Sequence, residues 1–427
     1  MTSTRKALGN ITWLFSEKIV TMGLSLLVSI ILARYLSPSE FGKLNYLISF
    51  IAILAPFSAL GLNALIVREL VNSKKDNGVI LGTALLLRIS GGIIAITLAT
   101  VVIWSADLLI TSNWLILAAI GGSFSSLLLF DFYFQSRVQS QYVVTTRLIV
   151  LVLSSLLKLT SVYFELSLAY FLTLVILEPI SIGVLLFLFF NIKKENEIVF
   201  KFDFKYAKEL LTQSKWLILS GFMAIVYLKV DQLMIGEMLG SEDLGVYSVA
   251  VRISEVWYFF PVAIVTSFYP KLLKSKITPS LYKHNLQRLC DILFWLGVSV
   301  ALIMTLFSSP LINTLYGKGY SLASQILSIH IWAGVFMFLR ALLSKWLIAE
   351  GLLKFSLLTH GIAAIVNVYL NYIWIPEYGI NGAAWATLIS CALSSYLVLW
   401  FNRKTIPMAL IMTNTITFPY RVLKNKL

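Results

Sequence analysis

The sequence predicts an all-α membrane protein of about twelve transmembrane helices, arranged as two six-helix lobes. Composition, the spacing of apolar runs and a likeness between the two halves carry this expectation. Of 427 residues, 59% are apolar and 13% are charged, and mean hydropathy is +0.86. Soluble domains average roughly 45–50% apolar and about 25% charged. That balance excludes a water-soluble enzyme, a disordered chain and a disulfide-stapled secreted domain. Cys290 and Cys391 have no partner spacing and read as small core residues.

Apolar runs long enough to cross a bilayer fall at about 11–33, 44–66, 79–104, 113–135, 143–164 and 167–190 in the N-terminal half. The C-terminal half offers 213–236, 247–269, 289–312, 322–349, 353–375 and 381–402. The first run is too long for the apolar region of a signal peptide and has no small-residue cleavage site after it, so it is expected to remain. The domain reading is an N-terminal lobe at 1–190, a cytoplasmic amphipathic linker at 191–212, a C-terminal lobe at 213–402 and a cytoplasmic tail at 403–427. At helical spacing, the linker aromatics Phe200, Phe202, Phe204 and Tyr206 suit a segment lying on the inner leaflet, and a plain tether is the simpler reading.

The net charge of +14 resides in short clusters between spans, which points to anionic lipid and away from nucleic acid. Alternate loops carry Lys74, Lys75, Arg137, Lys193, Lys194, Lys271, Lys274, Lys283 and Lys404, whereas the opposite loops hold Asp107, Glu165, Glu237, Glu242 and Glu377. That asymmetry places both termini in the cytoplasm. A shift of 203 residues superposes Trp13 on Trp216, Leu36 on Leu239 and Gly42 on Gly245, with Glu40 meeting Asp243. A six-span unit returns the chain to its starting side. A second copy then inserts with the same orientation, and the expected relation is a pseudo-two-fold along the membrane normal.

Charge inside a bilayer costs at least ~2.5 kcal/mol per residue on insertion scales, so each intramembrane charge needs a reason. The basic candidates are Lys18, Arg88, Lys158, Lys229, Arg252 and Arg340, expected to line a cationic, substrate-binding cavity. Arginine offers a fixed fork of donors matched to phosphate oxygens. The acidic candidates for ion coupling are Glu17, Glu178, Asp231 and Glu255, and Asp131 is a further intramembrane charge. Arg252 and Glu255 are spaced to pair on one helix face. For Arg88, Asp131 and Lys158, snorkelling or a helix-orienting pair explains the charge equally well. Pro56 and Pro261 nearly coincide under the shift and predict broken helices at matching places, and Pro179 adds a third kink candidate.

Enzymatic signatures are missing from the sequence: it contains no GxxxxGK, HExxH, CxxC or nucleophile elbow, and His284, His330 and His360 lack metal-ligand spacing. No catalytic residue, metal or cofactor is therefore expected.

Three stretches resemble the bacterial polysaccharide and O-antigen (Wzx-type) flippases of the multidrug/oligosaccharidyl-lipid/polysaccharide exporter superfamily. The first runs from Ile31-Leu-Ala-Arg-Tyr-Leu-Ser-Pro-Ser-Glu-Phe-Gly42 to Arg68-Glu69. The second is Lys229-Val-Asp-Gln-Leu-Met-Ile-Gly236 with Leu244-Gly-Val-Tyr247 and Phe268-Tyr-Pro270. The third is Asn367 to Thr387. The resemblance implies a two-lobed fold around a cationic cavity in the bacterial plasma (inner) membrane. It implies alternating access that moves an undecaprenyl-diphosphate-linked oligosaccharide between leaflets in exchange for protons or sodium. Charged residues of the first and eighth helices matter in similar flippases, and Glu17, Lys18, Arg252 and Glu255 occupy such places. Candidate protein partners are a glycan polymerase and a chain-length regulator. The alternatives are a multidrug or metabolite antiporter of the same superfamily, and a membrane polysaccharide polymerase.

Overall fold

The computed structural model describes residues 3–72, 75–105, 108–193 and 198–424. Lys74, Asp107 and Lys194 of the topology argument lie outside the described residues. The described chain is a succession of helices. The first six spans are α1 (Ser3–Tyr35), α2 and α3 (Pro38–Ala59, Asn63–Asn72), α4 (Asn77–Ser105), α5 and α6 (Ser112–Ser123, Leu129–Ser136), α7 (Ser140–Tyr163) and α8 (Leu168–Lys193). The following spans are α9 (Phe204–Met238), α10 and α11 (Ser241–Val256, Phe259–Ser275) and α12 (Pro279–Leu306). A short α13 (Ser308–Leu315) leads to α14 and α15 (Ala323–His330, Ala333–Ala349) and then α16 (Leu353–Ser395). Two short helices, α17 (Ile406–Asn414) and α18 (Phe418–Lys424), close the described chain.

Among the described residues, eleven helical stretches are long and apolar enough to cross a membrane. The last of them holds two of the expected passes. Within α16 the backbone leaves helical geometry at Gly379, with φ 60° and ψ −146°, just after Pro376. A Cβ at Gly382 would collide with the carbonyl of Trp374, whereas positions eight apart in a straight helix lie about 12 Å from each other. The chain therefore doubles back here, and the expected twelve passes are present.

Helix interruptions recur in both halves. The second span breaks at Leu60–Leu62, where Leu60 (φ 48°) and Gly61 (φ 59°) adopt the left-handed conformation after Pro56. Its counterpart, the eighth span, breaks between Val256 and Phe259, immediately before Pro261. The fourth span passes through a 3₁₀ turn at Phe124–Leu128, and the tenth is interrupted between His330 and Ala333. Proline explains the first pair, since it removes a backbone donor and crowds the preceding turn. Pro179 leaves α8 continuous.

Glu40 and Gly42, and their counterparts Asp243 and Gly245, lie within the starts of α2 and α10, ahead of the apolar runs expected from 44 and 247. Ser37 accepts from the Glu40 amide while the Glu40 carboxylate accepts from the Ser37 amide, a capping box with Pro38 in the first turn.

The chain divides into two compact units, Met1–Glu242 and Asp243–Leu427. Span 7, grouped by the sequence with the C-terminal lobe, belongs to the first unit because α9 packs along α2. Ser49 donates to Gln232, the Tyr46 hydroxyl donates to Glu237, and Phe57 packs on Phe222 at 5.0 Å. The first unit's core joins α3, α4, α6, α8 and α9 through Ile66, Leu81, Phe130, Phe134, Phe190 and Leu210, all fully buried or nearly so. The second unit's core joins α11, α12, α15 and α17 through Val265, Leu289, Leu342 and Met408.

Two expected extramembrane segments are packed structure. Residues 198–203 form an extended strap against the start of α4, with the Lys201 amide donating to the Gly78 carbonyl at 3.1 Å and the Asp203 amide to Thr83 Oγ1 at 3.1 Å. Phe200 lies against Phe130 and Phe190 and Tyr206 is buried in the core, whereas Phe202 and Phe204 remain exposed. Residues after 402, expected as a tail, are tied to α12. Trp295 Nε1 donates to the Thr415 carbonyl at 3.0 Å, and Arg421 pairs with Asp291 at 2.8 Å.

The strap yields a direct test. A Cβ at Gly82 would sit 2.6 Å from the Lys201 carbonyl oxygen and 2.7 Å from its amide nitrogen. Gly82→Ala should lift the strap at a cost of about 1–3 kcal/mol. The expected result is faster trypsin cleavage at Lys201 and Lys205, and unchanged cleavage would show that the strap relaxes without detaching.

Candidate functional site

Helix α1 brings Glu17 against α7, and the broken fourth span brings Asp131 to the same place at the first turn of α6. Between them stands Arg147, two turns into α7. Its Nη1 lies 3.5 Å from Glu17 Oε1, and its Nη2 contacts Asp131 Oδ2 at 2.5 Å. Gln135 donates to Asp131 Oδ1 at 2.8 Å from one helical turn away. Both carboxylates are buried, with side chains only 5% and 3% exposed. Two carboxylates therefore share one guanidinium, and the cluster carries a net charge of −1 when all three groups are ionised.

The sequence reading missed Arg147. It lies near the start of the fifth span, where a basic residue reads as a topology signal, and its sequence neighbours show nothing of Glu17 or Asp131. Glu17 and Lys18 diverge as neighbours on a helix must. Glu17 faces the cluster, while Lys18 is exposed.

Arg88, expected in a cationic cavity, is 1% exposed and committed to helix breaks. Nη1 donates to Asn63 Oδ1 at 3.1 Å, where α3 restarts, and Nη2 donates to the Ser125 carbonyl at 2.8 Å, inside the 3₁₀ turn of the fourth span. Broken helices leave carbonyls without intrahelical donors, and in a membrane each such group must find a partner in the protein. The guanidinium supplies it, and the Phe132 ring covers the group at 5.5 Å. A substrate phosphate has no approach to Arg88 in this arrangement.

Arg340 is bound in a comparable way in the second unit. From α15 it donates to the Ser394 carbonyl near the end of α16 and to Thr359 Oγ1 at 2.9 Å, and it contacts Ser356 and His360. At 4% exposure it joins the two limbs of α16. Lys158 and Glu178 pair at 3.1 Å between α7 and α8, with Ser154 donating to the same carboxylate oxygen. That is the helix-orienting arrangement.

The remaining candidates keep intermediate or buried positions with partners of their own. Lys229 is half-buried on α9, and Asp231 is 1% exposed and accepts from the Gln232 amide at 2.8 Å. Arg252 and Glu255 are half-buried on α10 at the spacing that shares a face. The structure thus brings Glu17 and Asp131 to one guanidinium, pairs Lys158 with Glu178, and engages Arg88 and Arg340 each within its own unit. No group of three His, Cys, Asp or Glu that could hold a metal ion occurs among the described residues.

Residues 7–276, well over half of the chain, match the model of the polysaccharide biosynthesis protein family. The chain belongs to this family. Residues 217–373 also match the MatE family, so the two matches overlap in the middle of the chain. A probable low-salt glycan biosynthesis flippase of Haloferax volcanii is 24% identical over 230 residues, covering 50% of this chain and 46% of the relative. A putative O-antigen transporter of Shigella flexneri is 24% identical over 200 residues, covering 47% of this chain and 48% of the relative. The chain spans about half the length of these relatives in the matched regions. Among solved structures, a lipid II flippase, MurJ, in an inward closed conformation superposes with TM-score 0.71 at 17% identity, covering 98% of this chain and 93% of that one. Family and fold together establish a multi-pass, all-α membrane protein of the polysaccharide biosynthesis family.

Proposed function

We propose that this member of the polysaccharide biosynthesis family carries a polyprenyl-diphosphate-linked oligosaccharide from the inner to the outer leaflet by ion-coupled alternating access. A diphosphate bearing several sugars cannot cross hydrocarbon unaided, because its charges and hydroxyls would lose water without compensation. Lys18, Lys229 and Arg252 are the residues that would meet the diphosphate. Their support is span position, with side chains that are half-buried or exposed. The basic loops support both termini on the cytoplasmic side, and the resemblance supports placement in a bacterial plasma membrane.

The observation that carries the coupling is the cluster of Glu17, Asp131 and Arg147. A proton or sodium ion arriving there neutralises the surplus negative charge and changes what holds α1 to α6 and α7. Glu255 and Asp231 are the further coupling candidates. Glu178 is engaged by Lys158, so its part is to orient helices.

Reconstitution into proteoliposomes with a fluorescent polyprenyl-diphosphate oligosaccharide tests the proposal. Outer-leaflet accessibility should rise with protein present and rise faster with an imposed proton or sodium gradient. Accessibility equal to that of empty vesicles would refute transport, and indifference to both gradients would refute coupling. The MatE match over the C-terminal half supports a second reading, an antiporter of small organic molecules. Gradient-driven uptake of a cationic dye without lipid flipping would favour it.

A further inference from the structure

At the basic end of the second unit, α12, α15 and α17 line an open cavity of about 700 Å³. Its floor is apolar, formed by Leu286, Trp346, Met408 and Ile411, each at most 5% exposed. Lys283 and Lys404 stand at its rim, exposed and without an ion-pair partner among the described residues. Glu350 also lines the cavity, but its carboxylate is taken. Lys276 lies 3.2 Å from it, and the Tyr282 hydroxyl donates to it at 2.9 Å. The rim therefore presents two uncompensated positive charges above a greasy floor. On the other side of α12 a smaller cleft of about 150 Å³ repeats this chemistry, with Lys271 and Arg288 over Phe268, Leu272 and Leu289.

We propose that the larger cavity binds an anionic phospholipid, its phosphate between Lys283 and Lys404 and the upper part of one acyl chain on the Leu286–Trp346–Met408 floor. A soluble phosphate would leave the floor uncovered, and a zwitterionic lipid would bring its own cation against the lysines. Basic pockets between the ends of membrane helices suit anionic headgroups, and the volume lies within the range of small-ligand sites. Helix α17 forms one wall, so an occupying lipid ties the segment after the last span to α12. The inference rests on the membrane fold and not on which substrate is carried.

Binding of pyrene-labelled phosphatidylglycerol and phosphatidylcholine to the purified full-length protein in detergent tests it. Phosphatidylglycerol should bind more tightly, with an affinity that falls as salt rises. The Lys283→Gln/Lys404→Gln variant should lose roughly twenty-five-fold in affinity for it, near five-fold per lysine. Phosphatidylcholine binding should not change, and Lys318→Gln, outside the cavity, should behave as wild type. Leu410→Asn, which spoils the apolar lining while keeping both lysines, should weaken binding several-fold. Equal binding of the two lipids, or wild-type affinity in the double-glutamine variant, would overturn the proposal. Displacement of the probe by inorganic phosphate alone would overturn it in favour of a soluble anion. Displacement by polyprenyl diphosphate but not by unlabelled phosphatidylglycerol would overturn it in favour of the transported lipid.

Discussion

Arg147→Ala is expected to lower stability by about 3 kcal/mol and to abolish transport. Removing one partner of a buried ion pair costs about 3–5 kcal/mol, because the other charge stays buried without compensation. The low end applies because 31% of the Arg147 side chain is exposed, although two buried carboxylates are left behind. Thermal unfolding of purified protein in detergent measures the loss. Adding Asp131→Asn to Arg147→Ala should recover more than half of it, since the surviving Glu17 then has no like charge beside it. Arg147→Lys should fall between, because a single ammonium cannot present the two separate donors that reach Glu17 and Asp131. An unchanged melting temperature in Arg147→Ala would show that the carboxylates do not depend on the guanidinium and would remove the basis for coupling at this place.

Arg88→Met should be nearly as damaging to the fold and should leave transport per folded molecule intact. The change keeps much of the side-chain volume but deprives Asn63 and the Ser125 carbonyl of their donor. A buried polar group left unsatisfied costs about 1–3 kcal/mol, and a loss of that size is expected mainly from the Ser125 carbonyl, since Asn63 is exposed. Arg88→Lys should rescue little, because one ammonium cannot span both helix breaks. Transport rate normalised to folded protein separates the roles. A normal KM for the lipid-linked oligosaccharide accompanies a purely structural arginine. A raised KM with normal melting would place Arg88 in contact with substrate.

These two arginines show where sequence reasoning is strong and where it stops. Arg88 is visible as an anomaly because a charge in the middle of an apolar run is expensive wherever it points. Its purpose is not visible, since the groups it satisfies are a side chain 25 residues upstream and a carbonyl 37 residues downstream. The carbonyl is set free by a break in another helix, and the side chain stands where α3 restarts. Arg147 is missed altogether because a basic residue near the end of a span already has an explanation in topology. The pair of Asp291 and Arg421 escapes for a related reason: each lies at the edge of an assigned segment, and 130 residues separate them.

Patterns that a bilayer imposes on every residue in turn are local, and the sequence alone carried them. Apolar run length determined twelve passes, loop charge supported an orientation, and Pro56 and Pro261 marked two breaks where the structure has them. The tertiary structure decided how each expensive group is compensated. It placed α9 on α2 and laid the 198–203 strap on α4. It folded the residues after 402 onto α12 and set one guanidinium between Glu17 and Asp131. The physical reason is the same throughout. The cost of burying a charge or an unpaired carbonyl belongs to the residue and can be read from its position, whereas the group that offsets the cost arrives through packing from elsewhere in the chain.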